Sequence, residues 1–134
     1  MIGIDANVLL RAIVRDDPGQ ARAADAVLAS LTTTRPGFIT HVALAEFEWV
    51  LARSYREPPA VRLALIRGLV ETDSLEFEDG ESVVRALSLA ESGADFPDAL
   101  IAASMELFGV ADAVTFDRDA AKRMGWRLLE AADA

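Results

Sequence analysis

Met1-Ile2-Gly3-Ile4-Asp5-Ala6-Asn7-Val8-Leu9-Leu10 opens the chain and decides its fold class. Met1 to Ile4 reads as a short buried strand, and the apolar run Val8-Leu9-Leu10 reads as helix. Asp5 stands where the strand gives way to the helix, at the carboxyl end of a sheet. Open α/β sheets bind their ligands at that end. A charge placed where the chain leaves its core needs a partner, and a metal ion is a candidate. Glu46, Asp98 and Asp117 are three further acids that the pattern can bring to the same edge.

Downstream, strand and helix patterns alternate without a linker or repeat. Asn7 to Val14 is a short helix, and Pro18 opens a second through Ala21, Ala24, Val27, Leu28 and Leu31. After a turn at Thr32 to Gly37, Phe38-Ile39-Thr40 reads as a strand. Thr40 is placed to cap a helix over His41 to Tyr55. Pro58-Pro59 opens a helix with Val61, Leu65, Ile66 and Leu69. Ser74 to Glu78 alternates like a strand with one wet face. Gly80 and Glu81 start a helix that Gly93 stops, and Asp95 to Phe108 is another, with Gly109 as its C-cap. Ala113 to Thr115 is a strand, Arg118 to Met124 a helix, and Arg127 to Leu129 a last edge strand. Strands separated by helices mean βαβ units. The expected fold is α/β, with a central, mostly parallel sheet of four to five short strands flanked by helices.

The 134 residues suit one domain, 1–134, and a hydrophobic content of 52% is ample for a core. There is no cysteine, which excludes disulfides, zinc–thiolate sites and thiol nucleophiles, and fits a reducing cytosol. No signal peptide or bilayer-spanning stretch is legible, so the expected location is the cytoplasm, away from membranes. A net charge of −9 argues against passive binding of phosphate backbones; it favours a basic protein partner, with solubility alone an equal explanation. A nucleic-acid enzyme that neutralises its own site with metal ions remains compatible with that charge.

Each acid has a blander reading. Asp5 can serve only as a helix cap. Glu46 has Val42, Ala43, Trp49 and Val50 as helical neighbours, which places it on a partly buried face; its blander reading is a solvated glutamate on a helix packed on more than one side. Glu48, among Leu44, Ala45, Leu51 and Ala52, is equally eligible, and periodicity does not choose between them. Asp95 can cap the helix that follows it, with Asp98 favouring the helix dipole in its first turn. Ile101, Ala102 and Met105 share Asp98's face and would turn it towards the core. Asp117 can be another cap; it stands beside Asp5 if their two strands are neighbours, and Asp119 is a reserve ligand or a first-turn acid. Clustered carboxylates raise one another's pKa unless a cation sits among them, and a hard, oxygen-liganded ion resolves the repulsion.

Four segments in order carry a resemblance. They are Ile4-Asp5-Ala6-Asn7-Val8-Leu9-Leu10-Arg11, Ala45-Glu46-Phe47, Ala94-Asp95-Phe96-Pro97-Asp98-Ala99-Leu100-Ile101-Ala102-Ala103, and Thr115-Phe116-Asp117-Arg118-Asp119. Over nearly its whole length the chain resembles a PIN-domain ribonuclease of the VapC toxin type. The resemblance implies a parallel sheet flanked by helices and a site dependent on Mg²⁺ or Mn²⁺. It implies Asp5, Glu46, Asp98 and Asp117 as the acidic quartet that holds the metal and carries catalysis, with Asn7 and Thr115 in support. It selects Glu46 over Glu48. It also implies an RNA substrate, a homodimer and a VapB-type antitoxin whose basic tail enters the acidic cleft. The family usually has Thr or Ser where Ala6 stands, a lost hydroxyl that weakens order around the metal without removing a ligand.

The remaining polar residues point elsewhere less strongly. His41, the single histidine, reads as a structural or surface residue rather than a general acid or base. Arg11 with Arg15, and Arg118 with Lys122, are spaced to grip RNA phosphates, although solvated helix charges are the blander reading. Trp49 and Trp126 read as core residues rather than stacking platforms. The activity expected is endoribonucleolytic, by metal-activated water. The alternatives are a phosphatase with Asp5 as nucleophile and a catalytically silent binding module.

Overall fold

The computed structural model describes residues 1–132 and divides into two compact units, Met1–Gly80 and the segment from Glu81 onward. In the first unit β1 (Ile2–Gly3), β2 (Gly37–Ile39) and β3 (Leu75–Phe77) form a parallel sheet in that order. Ile2 pairs with Gly37, and Gly37 in turn with Leu75. A side chain at Gly37 would crowd its neighbours in this ladder. A Cβ on Gly37 would lie 2.8 Å from Leu31 Cδ1 and 2.9 Å from both Ile4 Cγ1 and Leu75 Cδ2. The helices of this unit are α1 (Ala6–Val14), α2 (Pro18–Ala29), α3 (His41–Arg53) and α4 (Pro59–Val70). α1 packs on α2 and α3, α3 on α4, and α4 on β3. Buried Leu9, Ile39, Leu44, Phe47, Leu51 and Ile66 dominate the unit's core.

The helix starts are those that local chemistry predicts. Asp17 caps α2 by accepting from the Gln20 amide at 3.1 Å, with Pro18 in the first turn. The Thr40 hydroxyl accepts from the Ala43 amide at 3.1 Å, setting the entry to α3.

The second unit contains α5 (Gly80–Glu91), α6 (Phe96–Leu107), β4 (Val114–Thr115), α7 (Arg118–Met124) and β5 (Arg127–Leu128). β4 and β5 pair in parallel, Val114 with Arg127 and Thr115 with Leu128. α7 packs on α6 and on both strands. Gly93 ends the α5 segment at φ +116°, a conformation that side chains resist, with the Arg123 guanidinium lying against it. Phe108 caps α6, and Gly109 follows in the left-handed region at φ 72°.

The α/β reading stands, with five short parallel strands interleaved with seven helices among the described residues. Their pairing differs from one central sheet: three strands form one ladder and two form another. Period-two patterning locates a strand but does not name its neighbour, and strands of two or three residues carry little ladder information. Among the described residues, no helix is long and apolar enough to cross a membrane.

Candidate metal centre

Asp5 sits between β1 and α1, as its sequence position requires. Its backbone is extended, and its Oδ1 accepts from the Ala6 amide at 2.8 Å. The carboxylate is exposed while Ala6 is fully buried. Capping is therefore realised, and it uses one carboxylate oxygen.

The two glutamates of α3 take opposite faces. Leu44, Phe47, Glu48 and Leu51 form the buried stripe of the helix. Glu48 is only 4% exposed, and its Oε1 accepts from Arg62 Nε at 2.7 Å. That carboxylate belongs to the core, compensated by a guanidinium from α4. Glu46 points outward and is exposed, so the expectation that it lies on a partly buried face does not hold. The apolar residues beside it, Val42 and Trp49, are themselves exposed.

In the second unit acids gather at the amino ends of two helices. Asp95 caps α6, its Oδ2 accepting from the Asp98 amide at 3.1 Å. Asp117 caps α7, its Oδ1 accepting from the amides of Asp119 at 2.9 Å and Ala120 at 3.0 Å. Thr115 supports it, the hydroxyl accepting from the Asp117 amide at 3.0 Å. Asp98 is half-buried, and its carboxyl is pushed above the ordinary aspartate range. Burial is the main cause; the negative charges of Asp95, Asp117 and Asp119 add to it. The buried stripe of α6 is Phe96, Ala99, Leu100 and Ala103, whereas Ile101 is 51% exposed. Asp98 is thus turned along the rim of the helix and not, as its spacing suggests, into the core.

Among the described residues, no group of three or more Asp, Glu or His side chains is arranged to hold a metal ion. The donor chemistry nonetheless suits a hard divalent cation. The acids offer only oxygen, and Asp98 holds its negative charge at a cost that a cation would relieve.

The cations sort into two kinds. Arg11 binds Asp16 at 2.8 Å and Arg15 binds Asp25 at 2.9 Å, so each forms an exposed ion pair within the fold. Arg15 is also past the helix, in the left-handed region at φ 60°. Asp16 additionally accepts from the Tyr55 hydroxyl at 2.9 Å. That link between the ends of α1 and α3 had no sequence signal, because the partners lie 39 residues apart. Arg118 and Lys122 on α7 are exposed. The His41 backbone amide donates to Glu78 Oε1 at 2.8 Å. Trp126 is half-buried, but Trp49 is 54% exposed with Arg53 over its ring, which overturns the reading of Trp49 as core.

No curated protein and no solved structure gives a significant match to this chain. The PIN domain family model matches residues 2–126, a span that takes in Asp5, Glu46, Asp98 and Asp117 and runs through both compact units. The chain therefore belongs to the PIN domain family, whose members are generally metal-dependent nucleases.

Proposed function

We propose that this protein is an endoribonuclease, the toxin half of a toxin–antitoxin pair, and that residues 1–134 act as one PIN domain. In this reading Asp5, Glu46, Asp98 and Asp117 hold Mg²⁺ or Mn²⁺ and make up the catalytic site. The observation that carries it is the family match over residues 2–126, which spans all four acids, together with the placing of Asp95 and Asp98 at the start of α6 and of Asp117 and Asp119 at the start of α7. Acids crowded at the starts of two helices, in a chain of this family, suit a cation site better than a purely structural role.

The chain's own groups divide the work. Asp5 and Asp117 each spend one oxygen on backbone amides, which fixes their orientation and leaves the other oxygen to face a ligand. Thr115 steadies Asp117 from behind. Glu46 brings an exposed carboxylate from a helix anchored by Phe47, Glu48 and Leu51. Arg118 and Lys122 supply positive charge for phosphates beside Asp117. When bound, the metal neutralises phosphate charge and lowers the pKa of an attacking water. No protein nucleophile is needed, which separates this reading from an aspartyl phosphatase. The partners proposed are RNA, a second copy of the chain, and an antitoxin with a basic segment matching the net charge of −9. The absence of cysteine suits action in the reducing cytoplasm.

The test is Mg²⁺-dependent cleavage of a panel of tRNA and rRNA fragments by wild type and by Asp5→Asn. The variant is expected to keep its fold by circular dichroism and to lose cleavage. Undiminished cleavage by Asp5→Asn refutes the assignment. A trapped phospho-aspartate points to the phosphatase alternative, and calorimetry without divalent-ion binding points to a silent binding module.

A further inference from the structure

Trp49 is a bulky apolar side chain left 54% exposed on the outer face of α3. It follows Glu46 by three residues and precedes Arg53 by four, so the three side chains form one ridge along the helix. Val42, 76% exposed, continues that ridge beyond Glu46. The Arg53 guanidinium lies 5.7 Å from the indole centroid, a cation–π distance. Arg11, Arg15, Arg62, Arg85 and Arg127 each lie within 2.9 Å of a carboxylate. Arg53 has no carboxylate partner among the described residues; its guanidinium lies over the indole. A chain with a net charge of −9 thus presents, one turn from a proposed catalytic glutamate, an open aromatic face and an uncompensated positive charge.

We propose that Trp49 and Arg53 form the binding platform for single-stranded RNA. The indole stacks on a base next to the scissile phosphate, and Arg53 pairs with the phosphate of that nucleotide. This deepens the nuclease reading above and rests on it. Stacking is available to any base, so the platform grips unpaired RNA with little sequence preference and leaves selectivity to other contacts. Paired bases expose no free face to the indole, so the platform discriminates against duplex.

The full chain is assayed for Mg²⁺-dependent cleavage of a mixed-sequence single-stranded RNA. Trp49→Ala is expected to raise KM about 5- to 150-fold, the usual range for one lost stack, with a smaller effect on kcat. Trp49→Phe is expected to restore most of the affinity. Arg53→Ala is expected to weaken binding and to lower the salt dependence by about 0.7 in the log–log slope, while Arg53→Lys keeps that slope. In a Trp126→Phe background the remaining indole reports directly: RNA is expected to quench its fluorescence. Both positions are exposed, so the variants are expected to melt with wild type. Wild-type KM for Trp49→Ala overturns the platform and leaves the nuclease reading standing. Absence of cleavage by wild type on every RNA overturns the nuclease reading itself. If Trp49→Ala converts a wild-type dimer to monomer in sedimentation with KM unchanged, the ridge serves a second copy of the chain, and the platform is overturned.

Discussion

Arg62→Met tests how α3 is held. Arg62 Nε donates to Glu48 Oε1 at 2.7 Å, and a second guanidinium nitrogen donates to the Glu57 carbonyl. Glu48 is 4% exposed, so methionine fills space but leaves a carboxylate in the core without this guanidinium. Removing one partner of a buried pair costs about 3–5 kcal/mol, a large part of the roughly 5–15 kcal/mol that typically holds a domain. At about 2.1 cal/mol/K per residue, a 134-residue chain has an unfolding entropy of roughly 0.28 kcal/mol/K, so Tm should fall by roughly 10–18 °C. Glu48→Leu combined with Arg62→Met is expected to recover most of that loss, because a packed apolar pair is near neutral against a buried ion pair. The assay is thermal unfolding by circular dichroism of wild type, both single variants and the double variant. A drop below about 1 kcal/mol for Arg62→Met, within the range of surface pairs, refutes the reasoning. On the proposed ribonuclease reading, the double variant should still cleave RNA, since Glu48 faces away from the exposed face that carries Glu46.

Asp98→Asn is expected to raise the metal-free Tm at neutral pH and to weaken divalent-ion binding by calorimetry. The sign follows from its raised pKa: the folded state holds the proton more tightly, so ionisation opposes folding above the folded pKa, and the penalty fades as pH falls towards the unfolded value. The wild-type advantage of Asn should therefore vanish under acid conditions; an advantage constant with pH contradicts it. Asp16 runs the other way. The Tyr55 hydroxyl, then Arg11, hold its carboxyl below the usual range, so its stabilisation is present above the unfolded pKa and lost as pH falls through the folded one. Tyr55→Phe should lower Tm at neutral pH and converge with wild type in acid, as pH-dependent melting will show. Gly37→Ala should destabilise the first unit by about 1–3 kcal/mol through overpacking, read from a urea midpoint; an unchanged midpoint means the sheet opens without strain.

Apolar periodicity, prolines and caps placed nearly every element within a residue or two, because those signals act between neighbours in the chain. Asp5, Asp95 and Asp117 were legible as acids at element starts for the same reason, and their capping bonds are local. Faces were not legible on α3 or α6, because both helices carry apolar residues around most of their circumference. Tertiary packing decided that Glu48 is buried against Arg62 while Glu46 and Trp49 stand outside. It likewise turned Asp98 to the rim and divided five strands between two ladders. Local sequence determines what each segment becomes and which chemistry it carries. Only the folded chain determines which side of a segment meets water and which strand it meets, since those depend on partners tens of residues away.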